Sequence, residues 1–262
     1  MPGRYGRGRL GPVLALFVGL LLFFPAGRCQ AAEDLPFEVG EKITYQLKWG
    51  VIPAGQAVLE VLPPTTIDKQ LARHFRLRVR TNRFLDTFYK VRQTIDGFTD
   101  MALHSSLHYR KKEREGPSKR DIAVYFDLEK QTARYYKLDQ KRGRAPIAIP
   151  PGTFDPFSVL YYCRHLDFSQ LNQVARPITD GKKSVMGQLK NRGRRILTLE
   201  GKSYETFLLE PDIKKVSGVF KKSPDAHILI WMSADERRIP LKLSSKVLVG
   251  SFTAEMISYQ AR

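Results

Sequence analysis

PPGTFDPFSVLYYCR, residues 150–164, has the clearest helical pattern in a chain that otherwise alternates polar and apolar residues. Asp155 can accept a hydrogen bond from a free backbone N–H at the start of a helix, and Pro156 suits the first helical position, where no donor is needed. An apolar face then recurs at helical spacing and ends on a cation, at Phe157, Leu160, Tyr161 and Arg164. The stretch therefore predicts one amphipathic helix with a positive charge near its C-terminus.

The chain before this helix alternates with period two, which is typical of half-buried strands. The run from Ile43 to Trp49 predicts a first strand, a second strand ends at Pro63-Pro64, and a third contains Phe75 to Val79. Arginines at positions 76, 78 and 80 alternate with the apolar residues of the third strand, so we expect them on the outside of the sheet. The segment from Arg83 to Asp100 fits a helical turn followed by a strand from about Tyr89, but its short apolar runs leave the choice between helix and strand open.

Turn signals divide the remainder of the chain into further strands. Gly116-Pro117 separates the charged run 110–115 from a return strand at 122–126, and residues 164–183 are polar and mixed. A lysine-rich loop is expected at 211–226, before three closing strands that begin at Ile228. Since a flat sheet of about ten or more strands is uncommon, the prediction is mainly β: a large curved antiparallel sheet or half-barrel with one main helix covering its concave face.

Residues 1–31 have the organisation of a secretory signal peptide, with three arginines before an apolar run from Leu10 to Phe24. The run is shorter than the roughly 20 residues that span a bilayer, so a cleaved signal is favoured over an anchor. A lipid anchor at Cys29 is disfavoured, because Arg28 occupies the position where lipid attachment needs a small residue. The prediction is a periplasmic protein with a single β-rich domain at 32–262 and no transmembrane segment in the mature chain.

The chain is strongly basic, with a formal net charge of +18 at pH 7. Cleavage after residue 31 would remove four arginines and no acid, leaving +14. Such a protein is attracted to anionic surfaces such as lipid head groups, lipopolysaccharide or acidic glycans, although solvated strand faces can carry this charge without a specific partner. Export and the absence of a nucleic-acid-binding motif argue against nucleic acid as the partner.

No residue pattern indicates catalysis, a cofactor or a metal site. His104 and His108 are four residues apart but lack a zinc-binding spacing, and Ser158 does not sit in a nucleophile elbow. Cys163 is the only cysteine of the predicted mature chain, so it has no internal disulfide partner and is interpreted as a small buried side chain. The sequence therefore predicts a protein that is not an enzyme.

Apolar and aromatic side chains suggest what lies between the sheet and the helix. They either fill a packed core or line a cavity for an apolar ligand, and both interpretations stay open. The residues proposed to line such a cavity are Trp49, Phe88, Phe157, Leu160, Tyr161 and Trp231.

Several motifs along the chain resemble the bacterial exported family known as domain of unknown function 3108. They are FEVGEKITY at 37–45, Trp49-Gly50, DPFS at 155–158 with YYCR at 161–164, and WMSADERRIP at 231–240 followed by GSF at 250–252. The family has no agreed activity, so the resemblance implies an exported protein without assigning functional residues. The predicted layout is also similar to that of periplasmic lipoprotein carriers, in which helices cover a curved sheet around an acyl-binding cavity.

Two functions follow as hypotheses. The first is non-enzymatic binding or carriage of a lipid-like or amphiphilic ligand, or an accessory role in envelope assembly. The second is a structural or interaction module that binds an anionic envelope polymer through a basic face.

Overall fold

The computed structural model of the chain describes residues 35–212, 227–247 and 250–261. The predicted signal peptide at 1–31, including Cys29, lies outside the described residues, and so does most of the predicted lysine-rich loop.

The described residues form one antiparallel sheet of fifteen strands. The strands are β1 Lys42–Trp49, β2 Ile52–Ile67, β3 Gln70–Thr81, β4 Val91–Asp100, β5 Ser106–Glu115, β6 Ser118–Asp127, β7 Thr132–Lys137, β8 Arg142–Gly143, β9 Ile147–Ala148, β10 Gln173–Thr179, β11 Ser184–Leu199, β12 Lys202–Pro211, β13 His227–Ser233, β14 Pro240–Val247 and β15 Gly250–Gln260. Two helices accompany them, α1 Arg83–Asp86 and α2 Ser158–His165.

The sheet is a meander in which the last strand pairs with the first. Its order runs from β10 to β15, continues through β1 and ends at β8, while β9 pairs with β7. The edge strands β10 and β8 are not neighbours in this order, so the sheet is not closed into a barrel. Buried residues from both halves, such as Phe75 on β3 and Leu209 on β12, belong to one core, which requires the sheet to curve around it. The predicted fold class is confirmed.

Helix α2 covers the concave face of the sheet. The Tyr161 ring is buried and stacks on Phe75 of β3 with a centroid distance of 3.8 Å. The start of the helix approaches β4 at Gly97, where a Cβ atom would lie only 2.2 Å from the Ser158 hydroxyl oxygen. A side chain at position 97 would therefore push the helix away from the sheet.

The predicted cap residue stabilises the start of α2, although the helix begins later than predicted. Asp155 Oδ1 accepts hydrogen bonds from the backbone N–H groups of Phe157 and Ser158 at 2.8 and 2.9 Å. Pro156 precedes the helix, which begins at Ser158, so its predicted place at the first helical position is wrong. Burial raises the pKa of Asp155, although hydrogen bonds from Ser106 and from the helix start oppose this rise.

Two strand predictions also need correction. Pro63-Pro64 does not end β2, because the register with β3 shifts between Leu62 and Thr65 and pairing then resumes to Ile67. This irregularity accommodates residues that have no N–H to donate to the ladder. The polar segment 164–183 contains β10, an edge strand whose exposed residues need not be apolar.

Arg164 has a structural role that the helical pattern does not reveal. Its side chain is only 1% exposed and lies against Glu41, with Nη1–Oε1 and Nη2–Oε2 distances of 2.6 and 2.8 Å. The guanidinium also donates to the backbone carbonyls of Arg238, Pro36 and Arg237. Burial lowers the pKa of Arg164, but the hydrogen bonds to Glu41 and the nearby negative charge of that carboxylate together leave the pKa above its ordinary value. The pair joins α2 to the start of β1 and to the turn between β13 and β14.

Candidate anion-binding groove

The residues predicted to line a ligand cavity lie in two different environments. Phe157 and Tyr161 are buried with their rings in edge contact, and Leu160 is partly buried against the same core. Trp231 is partly buried, with the Lys242 ammonium 5.6 Å from its ring centroid. Trp49 and Phe88 are 44% and 75% exposed. The structure therefore places Phe157, Leu160 and Tyr161 together against the core, and Trp49 and Phe88 at the surface.

The space beside Tyr161 is occupied by other side chains. The Phe37 ring meets Tyr161 edge-on at 5.2 Å, and Phe75 stacks on its face. The Arg164 guanidinium lies 5.6 Å from the centroid of the same tyrosine ring. Burial raises the pKa of the nearby Cys163 thiol to about 12, which keeps it protonated and unreactive. These groups pack the helix against the sheet.

A groove of about 930 Å³ lies across β1 to β6, lined mainly by side chains that point away from the core. Nine of its seventeen lining residues are Lys or Arg, and three are acidic. The cations are Lys42, Arg78, Arg80, Lys90, Arg92, Lys112, Arg114, Lys119 and Arg120. We call this feature the basic groove.

Four cations of the basic groove stand directly opposite one another on adjacent strands. Arg80 of β3 pairs with Arg92 of β4. Arg92 pairs in turn with Arg114 of β5, which pairs with Lys119 of β6. We call Arg80, Arg92, Arg114 and Lys119 the basic row. Like charges that face each other across strands destabilise a sheet, so this arrangement does not serve folding.

Another set of charges on the same face is neutralised within the sheet. Arg76 and His74 both bond to Asp96 at 2.7 Å, and Arg110 pairs with Asp121 at 2.9 Å. Burial alone would raise the pKa of Asp96, but the hydrogen bonds from His74 and Arg76 hold it below its ordinary value. In contrast to these paired charges, Arg80, Arg114 and Lys119 of the basic row have no acidic partner among the described residues.

Most of the groove cations have no carboxylate partner in the described part of the chain and are therefore free to bind an external anion, although some are paired within the protein. Arg92 is paired with Asp86, and hydrogen bonds from Arg92 and Thr81 lower the pKa of that carboxyl to about 2. Arg80 donates to the neutral Gln56 amide oxygen at 3.0 Å. Among the residues that the structure describes, six groove cations form no ion pair, namely Lys42, Arg80, Lys90, Lys112, Arg114 and Lys119.

Guanidinium and ammonium groups arranged in this way bind carboxylate, sulfate or phosphate oxygens. The described part of the chain holds no group of three or more His, Cys, Asp or Glu residues that could bind a metal ion. The chemistry that the groove offers is therefore electrostatic and hydrogen-bonding recognition of anions.

Sequence reasoning noted the outward arginines of β3 and the charged run of β5, but missed their alignment. The alignment depends on the register between neighbouring strands, which the alternation within each strand does not give. The turn at Gly116-Pro117 places Glu115 opposite Ser118, which in turn places Arg114 opposite Lys119. That part of the basic row could have been found from the turn, because a short hairpin fixes the pairing of its strands.

Comparison with known proteins places the chain in a family. The family model described as "Protein of unknown function (DUF3108)" matches residues 44–257. The chain belongs to the DUF3108 family. The resemblance inferred from the sequence motifs is thus confirmed, and the family name assigns no activity.

A solved structure extends the comparison to the fold. This DUF3108 chain is similar to a beta-barrel-like protein of domain of unknown function DUF1849 from Brucella abortus. The TM-score is 0.54 at 9% sequence identity, and the match covers 86% of this chain and 98% of that chain. At this identity the likeness concerns the fold alone. No curated protein matches the sequence.

Within the described residues of the DUF3108 chain, no helix has the length and apolar character needed to cross a membrane.

Proposed function

We propose that this DUF3108 protein is a non-enzymatic, exported cell-envelope protein that binds an anionic envelope polymer in the basic groove. The observation that carries the proposal is the basic row, in which Arg80, Arg92, Arg114 and Lys119 face one another across four strands. The predicted signal peptide at 1–31 supports export.

An extended ligand fits this geometry better than a small anion. Neighbouring strands lie about 4.8 Å apart, so the four charges of the basic row span about 14 Å. Lys42 and Lys112 extend the positive lining along β1 and β5. A linear polyanion can place one charged group against each cation, whereas a single phosphate or sulfate reaches only one or two.

Carriage of a lipid-like ligand beneath α2 has less support. The Tyr161 side chain is surrounded by the rings of Phe37, Phe75 and Phe157, so the helix face that would contact an acyl chain already contacts protein. The basic groove lies on the other face of the sheet, where the side chains point away from the core and from α2. We therefore favour the polymer-binding function.

The proposal is tested with polygalacturonate oligosaccharides as the polyanion and neutral dextran as the uncharged reference. The groove variant combines Arg80→Gln, Arg114→Gln and Lys119→Gln, which removes three charges of the basic row and leaves the Arg92–Asp86 pair intact. We expect isothermal titration calorimetry at about 0.01 M ionic strength to show at least tenfold weaker binding than wild type, since each tenfold step needs only about 1.4 kcal/mol.

The matched control combines Arg134→Gln, Arg195→Gln and Lys202→Gln, which removes the same charges from exposed positions outside the basic groove. It should bind as wild type does. The groove variant should also be at least as stable to urea as wild type, because the facing like charges are relieved. Equal losses in the two variants, or no wild-type binding, would refute a groove-specific function.

A further inference from the structure

Exposed apolar side chains are concentrated at one end of the sheet. This end carries the β1–β2 turn, the β3–β4 connection, the β5–β6 turn and the start of β15. Val51 is 91% exposed and Phe84 is 60% exposed, and four aromatic rings accompany them. We call Trp49, Val51, Phe84, Phe88, Tyr89 and Phe252 the aromatic rim.

Ring contacts join four members of the aromatic rim in two pairs. Trp49 and Phe252 stack with nearly parallel rings at a centroid distance of 6.3 Å. The rings of Phe84 and Phe88 meet edge-on at 5.6 Å. Tyr89 lies beside the β5–β6 turn, where a Cβ atom on Gly116 would be 3.1 Å from its ring. The rim therefore consists of two ring pairs and two further side chains, Val51 and Tyr89, carried by connections at the same end of the sheet.

Hydrogen bonds fix the backbone segment that carries the exposed rings of Phe84, Phe88 and Tyr89. Asn82 caps α1 by accepting from the Leu85 N–H at 2.9 Å, and its amide donates to the Pro53 carbonyl at 2.6 Å. The Thr87 hydroxyl donates to the Phe84 carbonyl at 2.9 Å, and the Lys90 carbonyl accepts from the Gly116 N–H at 2.9 Å. These bonds tie α1 and the residues that follow it to the neighbouring turns, while the side chains of Phe84, Phe88 and Tyr89 face water. A fixed exposed apolar patch marks an interaction surface.

Three exposed cations lie on the side of the rim formed by the β3–β4 connection and the β5–β6 turn. Arg83 and Lys90 are exposed next to the rings, and Lys119 follows at the β5–β6 turn. The nearby acid Asp86 is neutralised by Arg92. Aromatic rings favour the interface between water and hydrocarbon, and each Lys or Arg near an anionic bilayer contributes about 1 kcal/mol of attraction.

We propose that the aromatic rim docks the protein on the surface of an anionic lipid bilayer. The rings insert between the head groups while Arg83, Lys90 and Lys119 contact lipid phosphates. The rim presents separated tips of several loops, which suits a fluid surface that can mould around each ring. This docking goes beyond polymer binding: its aromatic and apolar side chains lie outside the basic groove, with which it shares only the cations Lys90 and Lys119.

Flotation with lipid vesicles tests the proposal. The rim variant combines Phe84→Ser, Phe88→Ser and Tyr89→Ser, and the control combines Tyr125→Ser, Met186→Ser and Ile196→Ser at exposed positions away from the rim. We expect wild type and control to float with vesicles of phosphatidylglycerol and phosphatidylcholine, and to bind phosphatidylcholine alone more weakly. The rim variant should partition at least about tenfold less, because burial of even one Phe side chain contributes about 1.5–3 kcal/mol.

Several results would overturn membrane docking: no flotation of wild type, equal flotation of the rim and control variants, or equal binding to charged and uncharged vesicles. A wild-type dimer that the rim substitutions dissociate, without vesicle binding, would assign the surface to a second copy of the chain instead. The rim variant should still bind polygalacturonate, so failure of this proposal is distinguishable from failure of polymer binding.

Discussion

Replacing Arg164 by Met is expected to lower the free energy of unfolding by about 3–5 kcal/mol, as measured by urea denaturation. The substitution leaves the Glu41 carboxylate buried with only a 3.4 Å contact from the Tyr259 hydroxyl. It also removes the donor from the carbonyls of Pro36, Arg237 and Arg238. A buried charge without its partner is among the largest single destabilising effects known in proteins.

Arg110→Met supplies the matched control for this prediction. Arg110 also bonds a carboxylate through two nitrogens, but its side chain is 48% exposed and its partner Asp121 stays near solvent. Its loss should cost about 0.2–1 kcal/mol. If Arg164→Met were no more destabilising than Arg110→Met, the buried pair would not hold α2 on the sheet.

Replacing Tyr161 by Ala should lower the free energy of unfolding by about 3–5 kcal/mol, the range for loss of a buried aromatic side chain. Tyr161 is 1% exposed and contacts the rings of Phe37, Phe75 and Phe157. Its removal would leave a cavity between α2 and the concave face of the sheet. Urea denaturation followed by circular dichroism measures this loss.

Tyr161→Phe tests whether the ring or the hydroxyl carries the effect. The hydroxyl makes one long hydrogen bond, 3.5 Å from the Glu60 carbonyl, so its removal should change stability by less than about 1 kcal/mol. A small effect of Tyr161→Ala would mean that the helix is not packed as a plug. Similar large effects of both substitutions would instead attribute the stabilisation to the hydroxyl.

Local patterns in the sequence predicted most of the strands, although not β10 or the true end of β2, and did not predict how the strands are placed relative to one another. The alternation around Ile43, Phe75 and Ile228 reports which side chains face the core, because the side-chain period of a strand is two residues. It does not report where a strand lies along its neighbour. For this reason the outward position of Arg80 was predictable, whereas its place opposite Arg92 required the register of the β3–β4 pair.

Arg164 and Trp49 show why local character is a weak guide to burial. A cation at the end of a helix usually faces solvent, yet Arg164 is buried because Glu41, distant in sequence, supplies its counter-charge. Trp49 is apolar, yet it lies exposed at the end of β1, where the sheet presents no core. Both outcomes depend on contacts between segments that no local pattern encodes.

The most direct test of the central claim is lysine footprinting with and without bound polygalacturonate, in which acetylation is quantified by mass spectrometry. Groove binding predicts that the polyanion protects Lys42, Lys90, Lys112 and Lys119, while the exposed Lys69 and Lys202 outside the groove react unchanged. Equal protection of both sets would indicate nonspecific attraction to net charge. Such a result, or protection confined to lysines outside the groove, would contradict the proposed function.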